Sequence, residues 1–207
     1  MNKLINIIQE EIIKSNLITE KNPIEYNRSI LINEITKIAK DINQPAPTKE
    51  LDSGSDALVF ETTNPNILVR AELIESDDVY GLKEYNLAEP DIQETGGVAK
   101  IYSIGEYDIG DETYLISWKE NVETNYQYAL HRKYGDQAWN IIYALNLYNL
   151  VYGFNQKEKQ TQLDILKNTE ETSRLYDAVM NGLPVVDLSP DNNLGMNEEG
   201  YIVAYDC

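Results

Sequence analysis

Apolar positions divide this chain into a helical start, a β-rich middle and a helical second half. Leu4, Ile5, Ile8, Ile12 and Leu17 recur at helical spacing. A second stripe, Ile30, Leu31, Ile35, Ile38, Ala39 and Ile42, predicts a helix over about 24–42, opened by Pro23 and stopped by Asn43-Gln44-Pro45-Ala46-Pro47. From Lys49 the pattern becomes that of strands. Asp56-Ala57-Leu58-Val59-Phe60-Glu61 and Ile67-Leu68-Val69-Arg70-Ala71-Glu72-Leu73 flank the turn-forming Thr62-Thr63-Asn64-Pro65-Asn66. A helix is expected over about 78–88, then strands over 98–106 and 112–118 joined through Asp108-Ile109-Gly110-Asp111. The order strand, strand, strand, helix, strand, strand is that of a small antiparallel sheet with one helix against it. Beyond Glu120 the spacing predicts helices over 124–134, 136–152, 158–167 and 169–180. Asp136 is the expected cap of the second of these, with Trp139, Ile142, Tyr143, Leu147, Leu150 and Val151 on its buried face. The expected class is α+β, with a helical extension over 1–47, a β-rich lobe over 48–120 and a reduced helical lobe over 121–207.

Composition narrows the classes of function. A chain of 207 residues with 42% hydrophobic content holds one sizeable core or two small lobes. No run of about eighteen apolar residues offers a membrane span, and the first residues reach Glu10 and Glu11 too soon for a secretory signal. A cytoplasmic location and no membrane association are expected. The single cysteine, Cys207, excludes an intramolecular disulfide and a cysteine-rich zinc site. The lone histidine, His131, reads as a polar helix residue beside Arg132 and Lys133 rather than part of a triad or metal cluster. Thirty-five acids against seventeen bases give a formal charge of -18. Such a surface repels nucleic acid and anionic lipid, and either favours encounter with a basic protein partner or serves solubility alone.

The residues richest in chemistry lie near the end. Asp187-Leu188-Ser189-Pro190-Asp191-Asn192 is followed, after a glycine-bearing connection, by Gly200-Tyr201-Ile202-Val203-Ala204-Tyr205-Asp206. An aspartate, an asparagine five residues later and a strand-borne second aspartate supply three hard oxygen ligands, which suits a magnesium nucleotide. The same segments are also good turn chemistry, with Asn197-Glu198-Glu199-Gly200 reading as a hairpin turn.

An antiparallel lobe, a linker and a helical lobe bearing these motifs resembles the protein-kinase-like superfamily, a two-lobed fold shared with small-molecule phosphotransferases. Leu51-Asp52-Ser53-Gly54-Ser55-Asp56-Ala57-Leu58-Val59-Phe60 is similar to a degraded glycine-rich loop, with Gly54 at the middle glycine and Val59 at the valine that follows the third; Asp52 and Ala57 stand where the outer glycines would be. Arg70 occupies the place of the phosphate-binding lysine. Its acidic partner on the following helix would be Glu84, with Glu89 as the alternative. Tyr114 to Trp118 with Lys119-Glu120 would form the linker whose backbone meets the adenine edge.

The resemblance implies the following roles. Asp187 would orient the acceptor hydroxyl, Asn192 and Asp206 would hold Mg²⁺, Arg70 with Glu84 would anchor the phosphates, and the Gly54-Ser55 loop with Val59 would cover the nucleotide. ATP and Mg²⁺ are the cofactors so implied. The chain departs from the family at Val185 and Val186, where histidine and arginine are usual, and at Cys207, where phenylalanine is usual. The peptide-docking platform is not in the sequence, so the acceptor would be a small hydroxyl-bearing molecule or a folded protein. Two functions stand side by side: a minimal phosphotransferase moving the γ-phosphoryl group of ATP to a hydroxyl, or a catalytically inactive, pseudokinase-like binding or structural protein of bacterial or viral type. Arg70, Asp52 and Ala57 favour the second.

Overall fold

In a computed structural model, the structure describes residues 23–53, 57–74, 83–152, 155–185, 188–190 and 193–205. The expected helix over 4–17 and the start of the helix expected over 78–88 lie outside them. The chain divides into two compact units, Met1–Pro47 and Thr48–Cys207. In the first, helix α1 (Pro23–Asp41) carries Leu31, Ile35 and Ala39 on one buried line, each one turn from the next. It ends with Asn43 in the left-handed region at φ 55°. The Gln44 N–H then returns to the Ala39 carbonyl at 2.7 Å, which satisfies one of the last orphan carbonyls.

The second unit is α+β. Strands β1 (Pro47–Ser53), β2 (Ala57–Thr62), β3 (Ile67–Leu73), β4 (Ile101–Ile109) and β5 (Glu112–Glu120) form one sheet in the order β1-β2-β3-β5-β4. The β2–β3, β3–β5 and β4–β5 pairs are antiparallel. The β2–β3 turn is built by side chains: Thr62 Oγ1 donates to Asn64 and Ile67 carbonyls at 2.8 Å, and Asn64 Oδ1 accepts the Asn66 N–H at 3.1 Å. The β4–β5 turn is the pair Gly110-Asp111, with Gly110 at φ 67°.

Between β3 and β4 lie α2 (Lys83–Ala88) and α3 (Pro90–Gln93). The strand expected from Val98 begins only at Ile101, because Val98 leaves the sheet to make a parallel bridge with Ala204.

After β5 the chain is helical: α4 (Tyr126–Tyr134), a 3-10 turn (Gly135–Gln137), α5 (Ala138–Ala144), α6 (Tyr148–Tyr152), α7 (Gln156–Asn168), a second 3-10 turn (Glu170–Thr172) and α8 (Ser173–Met180). The single helix expected over 136–152 is broken. Leu145 and Leu147 are both fully buried, and two residues apart they cannot share one helical face. The Leu147 N–H instead takes the Leu188 carbonyl at 3.0 Å as well as that of Leu145. Asp136 sits inside the 3-10 turn and caps nothing; Gln137 precedes α5 without a side-chain bond. Trp139 and Tyr143, expected in the core, are 62% and 61% exposed, because the buried stripe runs through Ala138, Ile141, Ile142 and Leu145. His131 meets the Trp139 ring edge-on at 4.6 Å.

A hairpin, β6 (Leu194–Met196) and β7 (Ile202–Ala204), closes the described fold. Leu194, Ile202 and Ala204 join Leu87, Val98, Tyr126, Leu130, Leu166 and Leu175 in one core, so the hairpin, α2 and the helices share a single apolar interior. Among the described residues no helix is long and apolar enough to cross a membrane.

Candidate functional site

Sheet register sorts the strand residues onto two faces. Phe60, Val69 and Trp118 stand directly opposite one another across β2, β3 and β5, and all three are fully buried. The alternate row is Val59, Arg70 and Ser117, again in direct cross-strand register, with Lys119 opposite Leu68 one step along the same face. Arg70 is 8%, Ser117 1% and Lys119 4% exposed. A half-polar antiparallel sheet normally turns its polar face to water. Here two cations and a hydroxyl on that face are withdrawn from it, at a cost that polar partners must offset.

Glu72 and the Tyr205 carbonyl are among those partners. The Arg70 guanidinium donates to the carboxylate of Glu72, two residues on along the same face of β3. Lys119 Nζ donates to the Tyr205 carbonyl at 2.8 Å. Tyr205 is the residue before Asp206, and its own N–H donates to the Asn193 carbonyl at 3.0 Å. β7 is held in turn by Ala99 N–H to Ala204 carbonyl at 2.7 Å and Ala204 N–H to Gly97 carbonyl at 3.1 Å. A Cβ on Gly97 would lie 2.2 Å from the Arg174 carbonyl oxygen, so only glycine lets this segment pass between α8 and β7.

The loop containing Asp187 and Asn192 is anchored at its described residues. Leu188 is fully buried, its N–H donates to the Val185 carbonyl at 3.3 Å, and its carbonyl accepts from Leu147. The Pro190 carbonyl accepts from Tyr126 Oη at 2.9 Å and Gln127 Nε2 at 3.2 Å. Val185 packs against the helical core as an apolar side chain. Asn193, next to Asn192, adopts φ 64° and turns the chain into β6.

Of the residues singled out in the sequence, Val59 and Arg70 are cross-strand neighbours on one face. Gly54, Ser55, Asp187, Asn192 and Asp206 lie outside the described residues, as does the side chain of Glu84, whose backbone is in α2. Glu89 is exposed. Among the described residues no three His, Cys, Asp or Glu side chains gather to hold a metal ion. Lys119 and Glu120, expected to follow the strand, belong to β5, opposite Leu68 and Ile67. Backbone donors there are engaged: Glu120 N–H with Lys100 and Asn121 N–H with Asn66, at 2.8 and 2.9 Å. Ser117 and Lys119, which the sequence offers only as part of the linker, bring buried polar side chains to the face that carries Arg70. Their signal was the alternation in Leu115-Ile116-Ser117-Trp118-Lys119, which becomes informative only once β5 is known to neighbour β3.

No protein-family model matches the chain, and no curated protein matches it.

Proposed function

We propose that the chain is a compact kinase-like phosphotransferase that binds Mg-ATP between the polar face of the sheet and the β6–β7 hairpin, and moves the γ-phosphoryl group to a hydroxyl. The observation that carries this reading is the bond from Lys119 to the Tyr205 carbonyl. It ties the segment leading into Asp206 to the same sheet face that carries Arg70 and Val59. Further support comes from the five-stranded antiparallel sheet with helices between β3 and β4, and from a short hairpin following the Asp187–Asn192 loop. In this reading Arg70 and Lys119 supply positive charge for phosphate, Asn192 and Asp206 hold Mg²⁺, and Asp187 orients the acceptor.

The alternative is a pseudokinase-like binding or structural protein. Arg70 already spends part of its guanidinium on Glu72, and the Glu120 and Asn121 amides, where an adenine edge would bind, have protein acceptors. Calorimetry with ATP, with and without Mg²⁺, on the wild type and Asp206→Ala separates the two. Magnesium-dependent binding that is lost in Asp206→Ala is the expected result. Absence of binding in both proteins sinks the phosphotransferase reading and leaves the binding module.

A further inference from the structure

Acidic residues are spread along almost the whole chain, thirty-five of them in 207, yet between Glu123 and Glu158 Asp136 is the one acid, against Arg132, Lys133 and Lys157. What that stretch presents to solvent is aromatic. On α4, Tyr128 is 75% exposed, and one turn further on His131 meets the exposed Trp139 ring at the start of α5. Tyr143 follows Trp139 by one turn on the same outward side of α5. The His131–Trp139 contact thus joins two helix faces into one surface, and Arg132 and Asp136 are exposed charges beside it. Lys133 is taken up by Glu170 and Glu171.

Size, composition and charge each bear on what covers this face. At 150–250 Å² a ring, the exposed parts of Tyr128, Trp139 and Tyr143 come to roughly 400 Å². That equals the largest apolar patch of an ordinary monomer and is about half of what one partner contributes to a stable interface. Rings and an arginine with acids withdrawn is also the composition found at the centre of subunit interfaces. Charge selects the occupant. A basic protein is drawn to the acidic remainder of the chain rather than to this face, and an anionic partner is repelled by the formal charge of -18. A second copy carries that same charge, so two copies approach closely only through a face that lacks it. Here one base, Arg132, balances one acid, Asp136, and the face meets its own image without net repulsion. We propose that the α4–α5 face, centred on the His131–Trp139 contact, is the interface of a two-fold dimer of this chain, in which the rings of each copy are covered by those of the other.

Sedimentation equilibrium of the full chain over a concentration series is expected to show monomer and dimer in exchange, with the dimer strengthened by added salt, since screening removes the repulsion between like-charged copies and leaves the burial of the rings. Trp118 is fully buried, so acrylamide quenching reports Trp139, and it should fall as the dimer forms. Tyr128→Glu and Tyr143→Glu, both at exposed positions, should each raise the dimer dissociation constant at least tenfold. Met180→Glu, which puts the same charge at an exposed methionine of α8, should leave it unchanged. A monomer at every concentration overturns the proposal: with Trp139 open to acrylamide the face belongs to a partner of another sequence, and with Trp139 protected it belongs to other residues of this chain. A dimer that salt dissociates, that ignores both tyrosine variants, or that Met180→Glu weakens as much as they do overturns it too.

Discussion

Gly97→Ala tests the packing that holds β7, and with it the segment before Asp206. The added Cβ would sit 2.2 Å from the Arg174 carbonyl oxygen, 2.6 Å from its carbonyl carbon and 2.8 Å from Ala178 Cβ. Two of these are backbone atoms of α8, so no side chain can swing aside. Nor can the helix retreat freely: Leu175 and Ala178 are fully buried in the core. Arg174 is also tied to the hairpin, by a 2.6 Å ion pair with Glu199 and by its guanidinium lying 3.6 Å from the Tyr201 ring centre. The Gly97 segment must move instead, and it carries the carbonyl that receives the Ala204 N–H. Overpacking of this kind costs about 1–3 kcal/mol, and a weakened backbone hydrogen bond adds about 1 kcal/mol. A loss of roughly 2–4 kcal/mol corresponds to a fall in melting temperature of roughly 5–15 °C for a chain of this size. The control is Gly110→Ala, where a Cβ meets open space but the backbone is at φ 67°; its expected cost is only the left-handed penalty, about 1–2 kcal/mol. Urea and thermal melts of both variants beside the wild type decide the matter. If Gly97→Ala is no more destabilising than Gly110→Ala, the close approach of α8 to Gly97 is not what holds the hairpin.

Two other predictions address charge. Lys119→Met removes the ammonium that grips Tyr205 but keeps an apolar stem of similar length. Its cost to folding is expected to stay within about 1 kcal/mol, because burial of the charge is relieved at the same time. On the proposed nucleotide-binding function, Mg-ATP affinity should nonetheless fall at least about tenfold, the worth of one charge-assisted hydrogen bond; unchanged affinity in calorimetry would reduce Lys119 to a structural tie. The third concerns Glu171. Burial pushes its carboxyl up, but hydrogen bonds from Lys133 at 2.5 Å and Tyr134 at 2.6 Å outweigh this and hold it below its ordinary value. A depressed carboxylate contributes stability that is present above the unfolded value and is lost as pH falls through the folded one. Tyr134→Phe should therefore cost about 1.5–3 kcal/mol at neutral pH and progressively less once Glu171 is protonated, read from urea midpoints across an acid series. A penalty independent of pH would show that Tyr134 acts through packing alone.

The sequence by itself determined the α+β class, the β3 segment from Ile67 to Leu73, the β4–β5 turn and the helix ending before Asn43, because each depends on local periodicity and turn chemistry. It also singled out the Asp187–Asn192 and Gly200–Asp206 segments, whose Asp and Asn side chains carry the proposed metal site. Tertiary structure decided the rest. Helical spacing could not reveal that Leu145 and Leu147 both turn inward, a demand that breaks the helix and leaves Trp139 and Tyr143 outside. Nor could it reveal that Val98 abandons the sheet for Ala204. The polar face is the clearest case. Arg70 lies far along the chain from Ser117 and Lys119, and the three share one buried face only through the β3–β5 register, which long-range pairing sets. Gln162 likewise reads as an ordinary helix residue until α7 packs against the end of α5. There two backbone carbonyls take both its donors.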